Sequence, residues 1–396
     1  MLVQKYKDML SGKSVIRQLS EFATARGQEI GYENVFDYSL GNPSVPVPRE
    51  FTDRMIHMLA TKEPLELHGY SPSLGITSVR EAIAENLEKR FGLPYRKEHI
   101  FMASGAAGAL AHAFRLVTEP GDEILTFAPF FPEYHPYVDL TGAVLKVVPP
   151  NLENFQINFE AFEEMLTEKV KAVLINTPNN PSGVVYSTPT LQRLADILRE
   201  KSKEYGHIIY LISDEPYREI VFEGVDSPCV SYFYDNTIMC YSFSKSLSLP
   251  GERIGYVVVP DEASDAEDLI RGIEISNRTL GFVNAPSLLQ KAVARCLEEQ
   301  TDVAFYDKNR TMLYEGLTKL GFTCIKPQGA FYLFVKSPVE NEKEFCEVAK
   351  KHHVLVVPGS SFACPGYVRL AYCVSYEQIE RSLPAFKEIA EEYGLC

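Results

Sequence analysis

Apolar positions along this chain change rhythm twice, and the two changes divide it. Up to about residue 98 the pattern is mixed: short helical stretches are predicted over Met1–Met9 and Val15–Ala25, and an extended piece over Val35–Leu40 runs into the Gly41-Asn42-Pro43 break. Ile76, Val79, Ile83, Leu87 and Phe91 recur at helical spacing, which predicts a helix over Ile76–Arg90. From about residue 99, short β-rich apolar runs alternate with helical stretches. Strands are expected at Ile100–Ala103, Glu123–Phe127, Ala143–Val148, Ala172–Ile175, Ile208–Ser213, Thr237–Tyr241 and Gly255–Val259. Helices are expected at Ala107–Val117, Phe159–Leu166, Thr190–Tyr205 and Asp265–Leu280. Several of these strands are apolar on both faces, as in a largely parallel sheet covered by helices.

Beyond about residue 285 the rhythm shifts again. Helical patterns at Pro286–Glu298, Ala304–Leu320, Glu342–His352 and Tyr376–Glu392 surround extended runs at Ala330–Val335, Val354–Val357 and Val368–Ala371. The expected fold is therefore α/β. A large domain over 45–284 holds a mostly parallel seven-stranded sheet between helices. A smaller α/β domain spans 285–396, and the N-terminal segment 1–44 is expected to pack against it. Open sheets of this kind bind ligands beyond the carboxyl ends of their strands.

Bulk composition narrows the partners. The chain has 396 residues and a formal charge of -14, from 39 basic and 53 acidic residues. Nucleic acid is a poor fit to that balance, because phosphate contacts want clustered Lys and Arg. No run approaches the roughly 18 apolar residues of a membrane span, and the first residues lack the apolar core of a secretory signal. The eight cysteines form no CxxC pair, which suits a reducing cytoplasm better than a disulfide frame or a zinc site. His352-His353 has no suitable third ligand nearby, so a surface or packing role is expected and no metal site.

Candidate chemistry lies at the ends of the predicted strands. Lys245 follows the apolar run Thr237–Tyr241 inside Ser242-Phe243-Ser244-Lys245. A lysine amine there can join an aldehyde cofactor covalently. Ser242 and Ser244 can donate to phosphate oxygens, and Arg253 can add a charge-assisted, two-pronged contact. Asp214 follows Ile208–Ile212, where a carboxylate can keep a pyridine nitrogen protonated. Tyr217, and Asn180 in the Asn180-Pro181-Ser182-Gly183 turn, can donate to a phenolic ring oxygen. In Ser104-Gly105-Ala106-Ala107-Gly108, small residues at a helix start let backbone N–H groups approach phosphate. Phe131 can stack on a planar ring, with Phe130 and Tyr134 competing for that role. Arg369, in a strand-like run, can clamp an α-carboxylate. Tyr70 can reach a phosphate, even across a subunit boundary.

Any one block is weak, but their ordered combination resembles the class I/II pyridoxal-phosphate (PLP) aminotransferases of fold type I, the aspartate aminotransferase-like family, over roughly Tyr38 to Ala371. The resemblance implies that Lys245 is the Schiff-base lysine, Asp214 the pyridinium partner, and Tyr217 and Asn180 the pair on the phenolic oxygen. It implies phosphate contacts from Ser242, Arg253 and the backbone of Gly105–Ala107, and ring stacking by Phe131. Arg369 would hold the substrate α-carboxylate, with the backbone near Gly41 completing that pocket. A homodimer is implied, with Tyr70 reaching the neighbouring subunit's site. The activity implied is ping-pong transfer of an amino group between an L-amino acid, aspartate-like or broad in range, and a 2-oxoacid such as 2-oxoglutarate.

One departure bears on substrate. Some aspartate-using relatives carry a lysine where this chain has Ala107; Arg17, Arg26 and Arg278 are the alternative readers of a distal carboxylate. The nearest rival reading is PLP-dependent β-elimination from a sulfur amino acid on the same fold. An NAD-dependent dehydrogenase lacks its glycine fingerprint here, and a DNA-binding regulator lacks its basic extension.

Overall fold

The computed structural model describes residues 2–11 and 15–396. At its centre is a seven-stranded sheet built from β2 (Ile100–Ala103), β3 (Glu123–Phe127), β4 (Val144–Val148), β5 (Val170–Asn176), β6 (Tyr210–Asp214), β7 (Thr237–Ser242) and β8 (Gly255–Val258), ahead of which lies the short β1 (Phe36–Asp37). The spatial order is β2-β8-β7-β6-β5-β3-β4. β8 runs antiparallel to both its neighbours, and every other pairing is parallel. β2, β3, β5, β6 and β7 thus end on the same edge of the sheet. β2, β3 and β7 are buried along their whole length, as in a sheet covered on both faces.

The helix Gly105–Val117 crosses one face of this sheet. Its Gly105, Gly108, Ala109 and Ala113 are buried against it, and small side chains allow that close approach. Other helices begin where a side chain satisfies a free backbone N–H: Asn158, Ser187, Asp302, Asn341 and Ser375 each accept from an amide of the first turn.

A second sheet is formed by β9 (Tyr332–Lys336), β11 (Val357–Pro358) and β12 (Tyr367–Ala371), antiparallel in the order β11-β12-β9. Between them in sequence, β10 (Val354–Leu355) pairs in parallel with β1. The single strand expected over Val354–Val357 is therefore split at Val356, its two halves serving different partners. The helix expected at Pro286–Glu298 covers only Ser287–Val293. Bonds of the i to i+3 type, Arg295 N to Ala292 O and Cys296 N to Val293 O, tighten and end it. The first helix runs Gln4–Ser11; Met1, included in the expected helix, lies outside the described residues. The second continues past Ala25 to Ile30.

Candidate active site

The strand ends converge on a cavity of about 290 Å³ lined by residues from both sheets and from the N-terminal segment. Lys245 sits on the single turn Phe243–Ser246 that follows β7. Its Nζ donates to the carbonyl of Gly41 at 2.6 Å, a contact between residues 204 positions apart. Burial lowers its amine to about 8, and the charges of Arg369 and Arg253 act in the same direction. A lysine so placed is deprotonated often enough near neutral pH to act as a nucleophile or base.

Asp214 ends β6 and is 4 % exposed. Asn176 Nδ2, at the end of β5, donates to its backbone carbonyl at 2.8 Å. Asp214 Oδ2 accepts from the Tyr134 hydroxyl at 2.5 Å, while Oδ1 is buried with no partner. Burial pushes this carboxyl up to about 7. An acceptor of this kind left unpaired is costly, unless a cation or donor fills the place.

Arg369, on β12, is 2 % exposed. It donates through Nη1 to Asn180 Oδ1 at 3.1 Å and through Nη2 to the Ser39 carbonyl at 2.5 Å, and its Nε has no partner. Its guanidinium carbon lies 4.7 Å from the ring centroid of Tyr332. Because Asn180 Oδ1 accepts from Arg369, its Nδ2 remains to serve as a donor. The Asn180 backbone N–H is fixed by Asn176 Oδ1 at 2.8 Å. Tyr217 shares a 2.9 Å hydroxyl contact with Tyr332. Gly41 leaves room for that second tyrosine, since a Cβ there would fall 2.0 Å from the Tyr332 hydroxyl.

At the other end of the cavity, the Ser242 and Ser244 hydroxyls lie 2.7 Å apart, and Arg253 adopts a left-handed φ of 51°. Gly105 has φ 74°, and a Cβ on it would come within 2.8 Å of Arg253 Nη2, so glycine there permits the guanidinium to lie over the helix start. Ala106, Ala107 and Phe131 also line the cavity. Of the three aromatics considered for ring stacking, Phe131 reaches the cavity, whereas Tyr134 turns to Asp214. Tyr70 is not part of this cavity: it is 91 % exposed and borders a separate surface cleft with Phe282 and Val283.

Sequence reasoning missed several lining residues. Ser39 and Tyr332 act through partners far away in the chain, Asn176 through Asp214 and Asn180, and Ile16 enters from the second helix. Tyr134, which bonds Asp214 without lining the cavity, is expected from the sequence only as a stacking candidate.

These residues fit PLP. The unpaired Asp214 Oδ1 offers an acceptor for a protonated ring nitrogen, Lys245 offers the amine, and Ser242, Ser244 and Arg253 gather anion-binding groups at the start of a helix. When bound, PLP supplies an electron sink for a substrate's α-carbon. In the cofactor-free protein, Asp214 has a signed effect on stability. Its folded value, about 7, lies above the unfolded 3.8, so the folded state holds the proton more tightly and stability falls as pH rises from about 4 to about 7. Chemical denaturation of cofactor-free Asp214→Asn is expected to show it more stable than the parent at pH 8, with that advantage gone at pH 4.

The fold and the cavity together define a PLP-dependent enzyme of fold type I. The family model "Aminotransferase class I and II" matches residues 33–386. An aspartate aminotransferase of Thermotoga maritima is 31% identical over 94% of this chain and 98% of its own. An aromatic-amino-acid aminotransferase of Thermococcus litoralis is 30% identical over 96% and 97%. The crystal structure of an aminotransferase from Eubacterium rectale superposes with a TM-score of 0.97 at 46% identity, covering 99% of each chain. Aspartate aminotransferase of Thermus thermophilus with maleate gives 0.86 at 27% identity, over 98% and 99%. The chain belongs to the class I and II aminotransferase family and is a PLP-dependent aminotransferase. These relatives give no support to the β-lyase alternative. No helix among the described residues is long and apolar enough to cross a membrane.

Proposed function

We propose that this enzyme transfers the amino group of an L-amino acid, aspartate-like or broad in range, to a 2-oxoacid such as 2-oxoglutarate in two half-reactions. The observation that carries the reading is the meeting of Lys245, the unpaired Asp214 Oδ1 and Arg369 in one cavity. Arg369 binds the α-carboxylate of each substrate with two hydrogen bonds, its guanidinium being held in place through Nη1 by Asn180 and through Nη2 by the Ser39 carbonyl, with Nε unpartnered. That orientation brings the α-hydrogen toward Lys245 Nζ, which takes the proton from the α-carbon and later gives it up. With PLP bound, Asp214 would stay ionised beside the ring nitrogen, Tyr217 and Asn180 Nδ2 would donate to the phenolic oxygen, and Phe131 would cover the ring. Ser242, Ser244, Arg253 and the amides of Gly105, Ala106 and Ala107 would hold the phosphate. The first 2-oxoacid product leaves before the second 2-oxoacid binds.

The exposed Tyr70 supports a homodimer in which it reaches the neighbouring subunit's phosphate. We further propose a cytoplasmic location and the division into 1–44, 45–284 and 285–396; the pairing of β1 with β10 supports packing of the first segment on the last. Donor breadth is supported by the cavity wall, where Ile16 and Ala107 stand beside Lys245, Arg253 and Arg369. The test is a panel of aspartate, alanine, methionine and the aromatic amino acids against 2-oxoglutarate and pyruvate. Several donors are expected to yield glutamate or alanine together with their own 2-oxoacids. Failure of every donor, or release of pyruvate and ammonia from cysteine conjugates without an added 2-oxoacid, would overturn the reading.

A further inference from the structure

We propose that Tyr134 is a positioning residue for the reaction: its hydroxyl holds Asp214 ionised and turns the free carboxylate oxygen toward the cofactor ring. The proposal rests on the reading of Asp214 as the ring-nitrogen partner.

Tyr134 and Asp214 are both buried, Tyr134 completely. They come from different elements, the helix Tyr134–Asp139 and the end of β6, yet the hydroxyl and Oδ2 are only 2.5 Å apart. An ionised carboxylate only accepts, so the phenol is the donor. That bond uses Oδ2 and leaves Oδ1 with no protein partner. Asn176 fixes the backbone of the same residue, so the side-chain orientation depends on Tyr134.

The electrostatic need for this donor follows from the other neighbours. Glu215, on the same turn, raises the carboxyl of Asp214 further, although Arg218 pairs with Glu215 at 3.1 Å. Tyr217 from the following turn, Tyr137 from the Tyr134 helix and Cys240 from β7 also face Asp214, and each is neutral near pH 7. Among these groups, Tyr134 is the one whose bond favours the charged form, against the larger effect of burial.

Tyr134→Phe keeps the ring and removes only the donor. In the cofactor-free protein, the infrared band of the Asp214 carboxyl, identified by difference against Asp214→Asn, is expected to titrate at higher pH than in the parent. A hydrogen bond to a charged group sets the scale, so spectroscopic titration is expected to show PLP binding weakened roughly 10- to 100-fold. The acid limb of kcat should move up in pH as well. Tyr134→His, which keeps a ring N–H, is expected to recover part of each effect. An unchanged carboxyl titration with unchanged PLP affinity overturns the proposal. So does loss of cooperative unfolding in both variants, which would make Tyr134 a packing residue. If Asp214→Asn itself left PLP affinity and turnover intact, the underlying reading of Asp214 would fail instead.

Discussion

Lys245→Ala protein is expected to lose transamination by at least about 10⁴-fold, the upper range for a positioned proton-transfer group, and to bind PLP without a covalent link. The side chain has two tasks, attachment and proton transfer, and no second amine reaches the cavity among the described residues. Half-reaction kinetics with a saturating donor measure the loss, and the lysine-bound chromophore should disappear with it. The parent protein supplies a companion result. Its amine is lowered to about 8, so the rate at which PLP attaches to cofactor-free enzyme should rise with pH and level off above about 8. The same shift acts on stability. A lysine whose folded value lies below the unfolded 10.5 weakens the folded state below about 8, and this penalty is relieved as pH rises from there to about 10.5.

Arg369→Ala is expected to have the next largest effect. Truncating one partner of a buried, hydrogen-bonded charge pair costs about 2–5 kcal/mol, which corresponds to a loss of roughly 30- to 5,000-fold in kcat/KM for amino acids. Simple amines without an α-carboxylate should be nearly unaffected, so comparing the two substrate types separates loss of the clamp from general damage. Arg369→Lys should recover little. An ammonium lacks the planar fork that reaches Ser39 and Asn180 while keeping a further N–H free. Equal losses for amines and amino acids would contradict the assigned role.

The site was legible because its chemistry sits next to the strongest local patterns in the chain. Asp214 and Lys245 stand at the ends of apolar runs that suit inner strands, Asn180 lies in a turn just beyond another, and Gly105 opens a helix beyond a third. What could not be read were partners brought in by distant chain. Ser39 meets Arg369 across 330 positions, and Tyr217 meets Tyr332 across 115; no periodicity encodes such pairings. The same limit applies to the fold. Phe36–Asp37 is too short to carry a strand signal, and it exists as a strand because Val354–Leu355 lies beside it. The helix Arg49–Thr61 has no counterpart among the expected elements, although Phe51, Met55 and Met58 recur at helical spacing; only Phe51 is buried, and no side chain caps its start. Tyr134 illustrates the remaining ambiguity. An aromatic just past a strand end could stack on a ring or turn aside, and only the position of Asp214 decides between them.

The proposed mechanism stands or falls on which nitrogen carries the cofactor. Borohydride reduction of the PLP-loaded enzyme, followed by mass spectrometry of its peptides, reads that nitrogen. The stable adduct is expected on Lys245 alone; an adduct on a different lysine, with Lys245 unmodified, would rule the mechanism out.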